Sequence, residues 1–246
     1  MKKINILFVL LFLAFLSCSD ENETTPEEVL QPVTSKNKIM PLGASRVAGA
    51  RPNYESFRYE LWKLLVDNEI DFDYIGTQND GASYPTFQNQ SFDTDHEGRG
   101  GWTSGQISNE IDSWLAETGA PDIVLFSSPG GNDALQGLSY DAAITNINTI
   151  IDAIQASNAN VIIVIEQLAP ARSDIMTQEL TGYFNQITQD LVTIANEQTT
   201  ATSQVLLVDM ATGFNDSFLA DPVHYNEAGA QFIAERYYDL LKDILE

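Results

Sequence analysis

Asp122-Ile123-Val124-Leu125-Phe126-Ser127-Ser128 places four large apolar residues in succession, with no polar residue alternating between them. A strand with one wet face alternates apolar and polar side chains. A run that is apolar at every position fits a strand covered on both faces, as in a parallel sheet. Val161-Ile162-Ile163-Val164-Ile165 and Val205-Leu206-Leu207-Val208-Asp209 repeat the pattern. Upstream, Ile39-Met40-Pro41-Leu42-Gly43 and the stretch from Phe72 to Gly76 read as two shorter strands, although Pro41 is unusual inside one. Helical spacing of apolar residues separates these segments. It runs from Tyr54 to Asn68, Ser104 to Glu117, Tyr140 to Ala156, Thr177 to Gln198 and Glu227 to Leu245. Strands alternating with helices, without an internal repeat, predict a doubly wound α/β domain with right-handed crossovers around five parallel strands. Residues 77–103 read as one long loop rich in Gly, Asn and Asp, a length that usually serves function. Ligands of such sheets bind outside the carboxyl ends of the strands.

The chain has 246 residues, and the domain is expected to occupy 38–246, enough for a sizeable core. The formal net charge of -23 excludes a surface that tracks nucleic-acid phosphates. It also disfavours electrostatic attachment to anionic lipid. A neutral substrate such as a sugar ester remains compatible. At the start, Met1-Lys2-Lys3 followed by an apolar run from Ile6 to Leu16 has the layout of a signal peptide over 1–17, too short to span a bilayer with ease. Cys18 is the only cysteine, so no disulfide forms within one chain. Leu16-Ser17-Cys18 resembles a bacterial lipobox, with Phe15 where an aliphatic residue is usual. The resemblance implies lipidation of Cys18 and anchoring at the cell envelope, at the outer membrane and with surface exposure as a further option. Residues 18–37 are acidic and polar and read as a disordered tether.

Four motifs follow four of the predicted strands. Gly43-Ala44-Ser45 follows the first, and Gly98-Arg99-Gly100-Gly101-Trp102 lies in the loop after the second. Gly130-Gly131-Asn132-Asp133 follows the third, and Asp221-Pro222-Val223-His224 the fifth. Chance would scatter such motifs over both sheet edges, yet all four fall on one. Taken alone, Ser45 would be a helix cap, the Gly run a turn and Asn132-Asp133 a cap. Together they suit nucleophilic catalysis: Ser45 presents a hydroxyl, His224 takes its proton, and Asp221 orients the imidazole. The backbone N–H groups of Ser45 and Gly101 and the side-chain amide of Asn132 are candidate donors to an oxyanion. The Gly-x-Ser-x-Gly elbow is absent.

Taken in order, these blocks resemble the SGNH (GDSL-like) hydrolases over the whole span from Lys38 onward. The resemblance implies a flavodoxin-like three-layer α/β/α fold and a cofactor-free serine esterase. It also implies catalytic roles for Ser45, His224 and Asp221 and an oxyanion hole at Ser45, Gly101 and Asn132. Ile39-Met40-Pro41-Leu42-Gly43 and His96-Glu97-Gly98-Arg99-Gly100-Gly101-Trp102 look more like the carbohydrate-esterase branch, including acetylxylan-esterase-like enzymes, which implies a glycan ester as partner. One departure is Ala44, where the family usually carries Asp. Its loss is expected to loosen the turn around Ser45. An impaired, glycan-binding relative and an acyltransferase are therefore alternative readings.

Other residues carry weaker signals. Arg46 could bind an acidic sugar or form a surface ion pair. Trp102 could stack on a sugar or pack its loop. Asp93 to Gly98 opens like a calcium loop but puts Ser104 where the closing Glu belongs. His96 lacks partners for zinc and reads as a loop-structuring residue. Glu166 and Gln167 end the fourth strand and are expected to satisfy loop backbone. The oligomeric state is not legible.

Overall fold

The computed structural model describes residues 37–245. The expected leader, Cys18 and all of the tether except Asn37 lie outside the described residues. The sheet is built around β1 (Lys38–Gly43), with β5 (Ile123–Phe126), β6 (Ile162–Gln167) and β7 (Gln204–Asp209) added in parallel on one side. On the other side two short strands share one edge. β2 (Asp73–Tyr74) pairs with the start of β1, and β4 (Asp95–Gly98) pairs with its end, Leu42 opposite Glu97 and Gly43 opposite Gly98. β3 (Gln78–Asn79) runs antiparallel to β4 at the rim.

The five expected strands are all present, in the flavodoxin-like order β2-β1-β5-β6-β7. The sheet has seven strands, however, because β3 and β4 form inside the stretch read as a loop. Asp95-His96-Glu97-Gly98 has no apolar run to announce a strand. It pairs because β2 ends early and leaves backbone groups of β1 without partners. Pro41 fits the same geometry. The carbonyls of Asn37, Ile39 and Gly43 all point toward the β2/β4 edge, so the odd-numbered residues face that way. Pro41 therefore turns its nitrogen into the gap between β2 and β4, where no donor is required.

Alternation within each strand sorts the core into two layers. Ile39, Leu125, Val164 and Val208 pack beneath α2 (Arg58–Asp67) and α7 (Glu227–Leu241), against Leu61, Trp62, Ile233 and Tyr237. Met40, Leu42, Val124 and Phe126 face the other way, against α3 (Ser104–Thr118), α5 (Tyr140–Ser157) and α6 (Gln178–Gln198). Each fully buried Leu or Ile contributes about 1.5–3 kcal/mol of hydrophobic stabilisation. Local sequence sets the helix starts. Thr103 and Gln106 form a reciprocal capping box on α3, and the Thr177 hydroxyl accepts from the Leu180 N–H on α6. α2 begins at Arg58, not at Tyr54. The preceding residues are held extended by bridges from Tyr54 to Ala50 and from Glu55 to Tyr225. Two short helices, α1 (Ser45–Ala48) and α4 (Gly131–Leu135), were not foreseen, and both sit at the carboxyl edge of the sheet.

Candidate active site

β1 delivers the chain to Gly43, whose φ of +156° favours glycine. A Cβ there would lie 2.9 Å from both the Ser127 carbonyl and Val47 Cγ2. The chain turns at Ala44, and Ser45 opens α1. Its Oγ lies 2.8 Å from His224 Nε2, and His224 Nδ1 lies 2.7 Å from Asp221 Oδ2. The other Asp221 oxygen accepts the N–H groups of Val223 and His224 at 2.9 and 2.8 Å, so the four-residue loop closes on its own carboxylate. Burial pushes the Asp221 carboxyl up, but these backbone N–H bonds and the His224 side chain outweigh it and leave the group below the usual carboxylate range. An ionised Asp221 makes Nδ1 the donor, and Nε2 is then the acceptor for the Ser45 hydroxyl.

Two arginines fix the turn. Arg46 is buried, and its guanidinium donates to the carbonyls of Val223 and Ala169, each at 2.8 Å, and of Pro170 at 3.2 Å. It also lies 4.7 Å over the Tyr225 ring. Arg46 is therefore not a surface ion pair: its fork ties the serine turn to the loop that carries His224, and the residue also lines the cleft at Ser45. Arg58, fully buried, donates to the carbonyls of Val47 and Ala48 at 2.8 and 3.0 Å, at the end of α1, and pairs with Asp80 at 2.9 Å. Gly98 lets β4 approach this helix, since a Cβ would stand 2.5 Å from the Ala48 nitrogen. Tyr54 stacks on the His224 ring at 3.8 Å between centroids.

The proposed oxyanion donors are brought to the same edge. Asn132, on α4, lines one cleft with Ser45 and donates one amide hydrogen to the Trp102 carbonyl at 2.8 Å, leaving the second hydrogen free. Gly101 lies in the turn closed by the Trp102 N–H and the Arg99 carbonyl, and Gln136 of α4 donates to the Gly101 carbonyl at 3.1 Å. Among the described residues, the Ser45 and Gly101 N–H groups have no hydrogen-bond partner. Trp102 packs against Trp114, with the Arg99 guanidinium over both rings. Arg99 in turn pairs with the fully buried Glu97 at 3.0 Å. Glu166, also fully buried, accepts from the Ser128 N–H at 2.7 Å, the Ser127 hydroxyl at 3.0 Å and the Tyr237 hydroxyl at 2.7 Å. As expected, it satisfies loop backbone. Gln167 points its amide at the Thr188 carbonyl instead. His96 accepts the Gly98 N–H, and Asp93 accepts those of Tyr74 and Asp95, so both structure their loop. Sequence reasoning missed Tyr54, Arg58 and Glu97. Only the rarity of a cation inside an otherwise apolar helical face could have drawn attention to Arg58.

The cleft at Ser45 has a volume of about 40 Å³, room for a few water-sized groups. Leu135, Leu168, Ala171 and Phe184 make most of it apolar. A Ser-His-Asp line at the carboxyl edge of a parallel sheet, beside free N–H donors, is the arrangement that serine hydrolases of the three-layer α/β class use. The chain belongs to the GDSL-like Lipase/Acylhydrolase family, whose profile matches residues 70–232. It is similar in structure to a carbohydrate esterase family 3 protein from Talaromyces cellulolyticus, with 28% identity and a TM-score of 0.72 over 85% of this chain and 97% of that one. A family 3 carbohydrate esterase from Clostridium thermocellum is 29% identical, with a TM-score of 0.68 over 85% of this chain and 99% of that one. An acetyl esterase solved as a serine-to-alanine mutant with an acetate ion is 28% identical, with a TM-score of 0.70 over 85% of this chain and 99% of that one. No curated protein matches the chain in sequence.

Proposed function

We propose that the protein removes acetyl or another short acyl group from a carbohydrate through an acyl-Ser45 intermediate. The observation that carries this reading is the closed line from Ser45 through His224 to Asp221, at 2.8 and 2.7 Å, beside an apolar cleft of acyl size. Ser45 Oγ attacks the ester carbonyl while His224 Nε2 takes the hydroxyl proton. The negative oxygen of the tetrahedral intermediate is met by the N–H groups of Ser45 and Gly101 and the free amide hydrogen of Asn132. The intermediate collapses, the C–O bond to the sugar breaks, and the leaving alkoxide receives the proton from His224. A water molecule then gives its proton to His224 and its oxygen to the acyl carbon, and collapse frees the acid and restores Ser45. Asp221 holds the imidazole in the tautomer required and stabilises the imidazolium formed in each half.

The carbohydrate half of the reading is supported by the likeness to the two family 3 carbohydrate esterases. The test is turnover of a chromogenic acetate and of an acetylated oligosaccharide by the protein and by Ser45→Ala. Loss of both activities in the variant is expected, and full activity in it would sink the mechanism. We further propose, from the sequence around Cys18 alone, that the chain is lipidated there and held at the bacterial envelope. Incorporation of labelled fatty acid that disappears in Cys18→Ser is the check.

A further inference from the structure

A second cleft adjoins the first and is of a different kind. It encloses about 400 Å³, against about 40 Å³ at Ser45. The two are neighbours through one hydrogen bond: Asn132, which lines the first, donates to Trp102, which lines the second. They also take opposite ends of the serine turn, Ala44 to Arg46 in one and Ala48 with Gly49 in the other. The Gly98–Trp102 segment that carries Gly101 forms the wall of the larger cleft.

Its lining is polar where the first is apolar. Gln78, Asn79, Asp80, His96 and Arg99 are its polar lining residues, and Trp102 closes one side. His96 Nδ1 accepts the Gly98 N–H at 2.9 Å, so the ring proton sits on Nε2. That Nε2–H has no protein acceptor among the described residues. Burial, with the Arg58 charge adding to it, pushes the imidazole down to about 3, so the ring is neutral at ordinary pH. Asp80 brings carboxylate oxygens that already hold Arg58, Tyr84 and the Ala82 N–H in place. Gly49, Gly81, Gly98 and Gly100 line the rest, so a ring can lie flush on bare backbone. Side chains already held in place, a neutral imidazole and glycine backbone suit a polyhydroxylated neutral ligand better than an anion or a lipid chain.

We propose that this cleft receives the sugar ring bearing the scissile ester, a neutral pyranose, while the apolar cleft at Ser45 receives its acyl group. The inference rests on the esterase reading above and adds the place of the alcohol half. The ester would then bridge the two clefts, its carbonyl oxygen toward the Ser45, Gly101 and Asn132 donors and its sugar oxygen within reach of His224.

Gly81 allows a direct test. A Cβ there meets no atom within 4 Å and its φ is not positive, so Gly81→Trp adds a large side chain to the lining of this cleft without backbone strain. The ratio of kcat/KM for an acetylated xylo-oligosaccharide to that for p-nitrophenyl acetate is expected to fall about tenfold or more in this variant. Gly81→Leu should give a smaller fall in the same direction. Calorimetric titration of unacetylated xylotriose into Ser45→Ala protein supplies a readout without turnover, and Gly81→Trp on that background is expected to abolish the binding. An unchanged ratio in both variants, or xylotriose binding that is absent or indifferent to Gly81→Trp, overturns the proposal. Absence of turnover on both esters in the unaltered protein would sink the esterase reading. Sugar binding blocked by Gly81→Trp would still place the ring in this cleft.

Discussion

Tyr54 lies flat against His224, with ring centroids 3.8 Å apart and planes 12° apart. The stack covers one face of the imidazole, while Asp221 and Ser45 engage its two nitrogens. The imidazole is thus fixed in tilt as well as in direction. Because the contact is between rings, Tyr54→Phe should keep kcat on p-nitrophenyl acetate within about twofold. Tyr54→Ala should lower it roughly tenfold, as expected for loss of an aromatic pair of about 0.5–1.5 kcal/mol. Steady-state kinetics of the two variants check this.

Arg46 holds three loop carbonyls at once. Arg46→Ala strands the buried Ala169 carbonyl, at a cost of about 1–3 kcal/mol if it is left unsatisfied, and frees the part-buried carbonyls of Val223 and Pro170. It should lower the melting temperature and cut kcat about tenfold or more, with KM nearly unchanged. Arg46→Lys should recover little, because a single ammonium cannot span the fork. Thermal denaturation and kinetics together decide the matter.

Ala44 stands where a carboxylate was expected to help hold Ser45, and Ser45 lies 2.8 Å from His224. Arg46 and Arg58 hold the turn from either side. Ala44 lines the cleft at Ser45 and also a void of about 10 Å³ that it shares with the buried Asp133. Ala44→Asp brings a second carboxylate near that of Asp133. It should lower the melting temperature and change kcat by less than about threefold, under ~0.7 kcal/mol of barrier. A large gain in rate would show that the arginines do not suffice.

His96 ties stability to acid. In the folded chain burial pushes its imidazole down to about 3, from an ordinary value of 6.5. Between those values the unfolded chain binds a proton that the folded chain does not. Stability therefore falls as pH drops from 6.5 toward 3, by up to ~1.4 kcal/mol per pH unit from this group. Asp93 acts in the opposite sense: burial pushes its carboxyl up to about 6 from 3.8, and its contribution is lost as pH rises through that window. Asparagine keeps an acceptor for the Gly98 N–H, so His96→Asn isolates the histidine. Urea midpoints from pH 7 to pH 4 should drop more steeply in the parent than in this variant.

The apolar runs of β5, β6 and β7 announced the fold because strands buried on both faces have no other way to be written. Ser45, Asn132 and His224 were legible for a related reason: strand ends in a doubly wound sheet converge on one edge, so their order in the chain implies nearness. β4 escaped because its pairing is a matter of free backbone groups, which side chains do not report. Tyr54 and Arg58 escaped because their partners lie far along the chain or on backbone carbonyls. The tie made by Arg46 escaped on the same ground, since nothing local to Ser45-Arg46-Val47 says that three carbonyls wait for it.

Of the twelve cationic side chains in the whole chain, Arg46, Arg58 and Arg99 are spent around one four-residue helix and the turn beside it. The remainder of the molecule is strongly acidic, and an anion forming at its surface would meet repulsion. Buried positive charge is screened little by dissolved ions. Arg58 and Arg99 are matched by Asp80 and Glu97, which leaves Arg46 without a carboxylate in salt-bridge contact among the described residues, and turnover of a neutral ester should hold steady from dilute buffer to high salt.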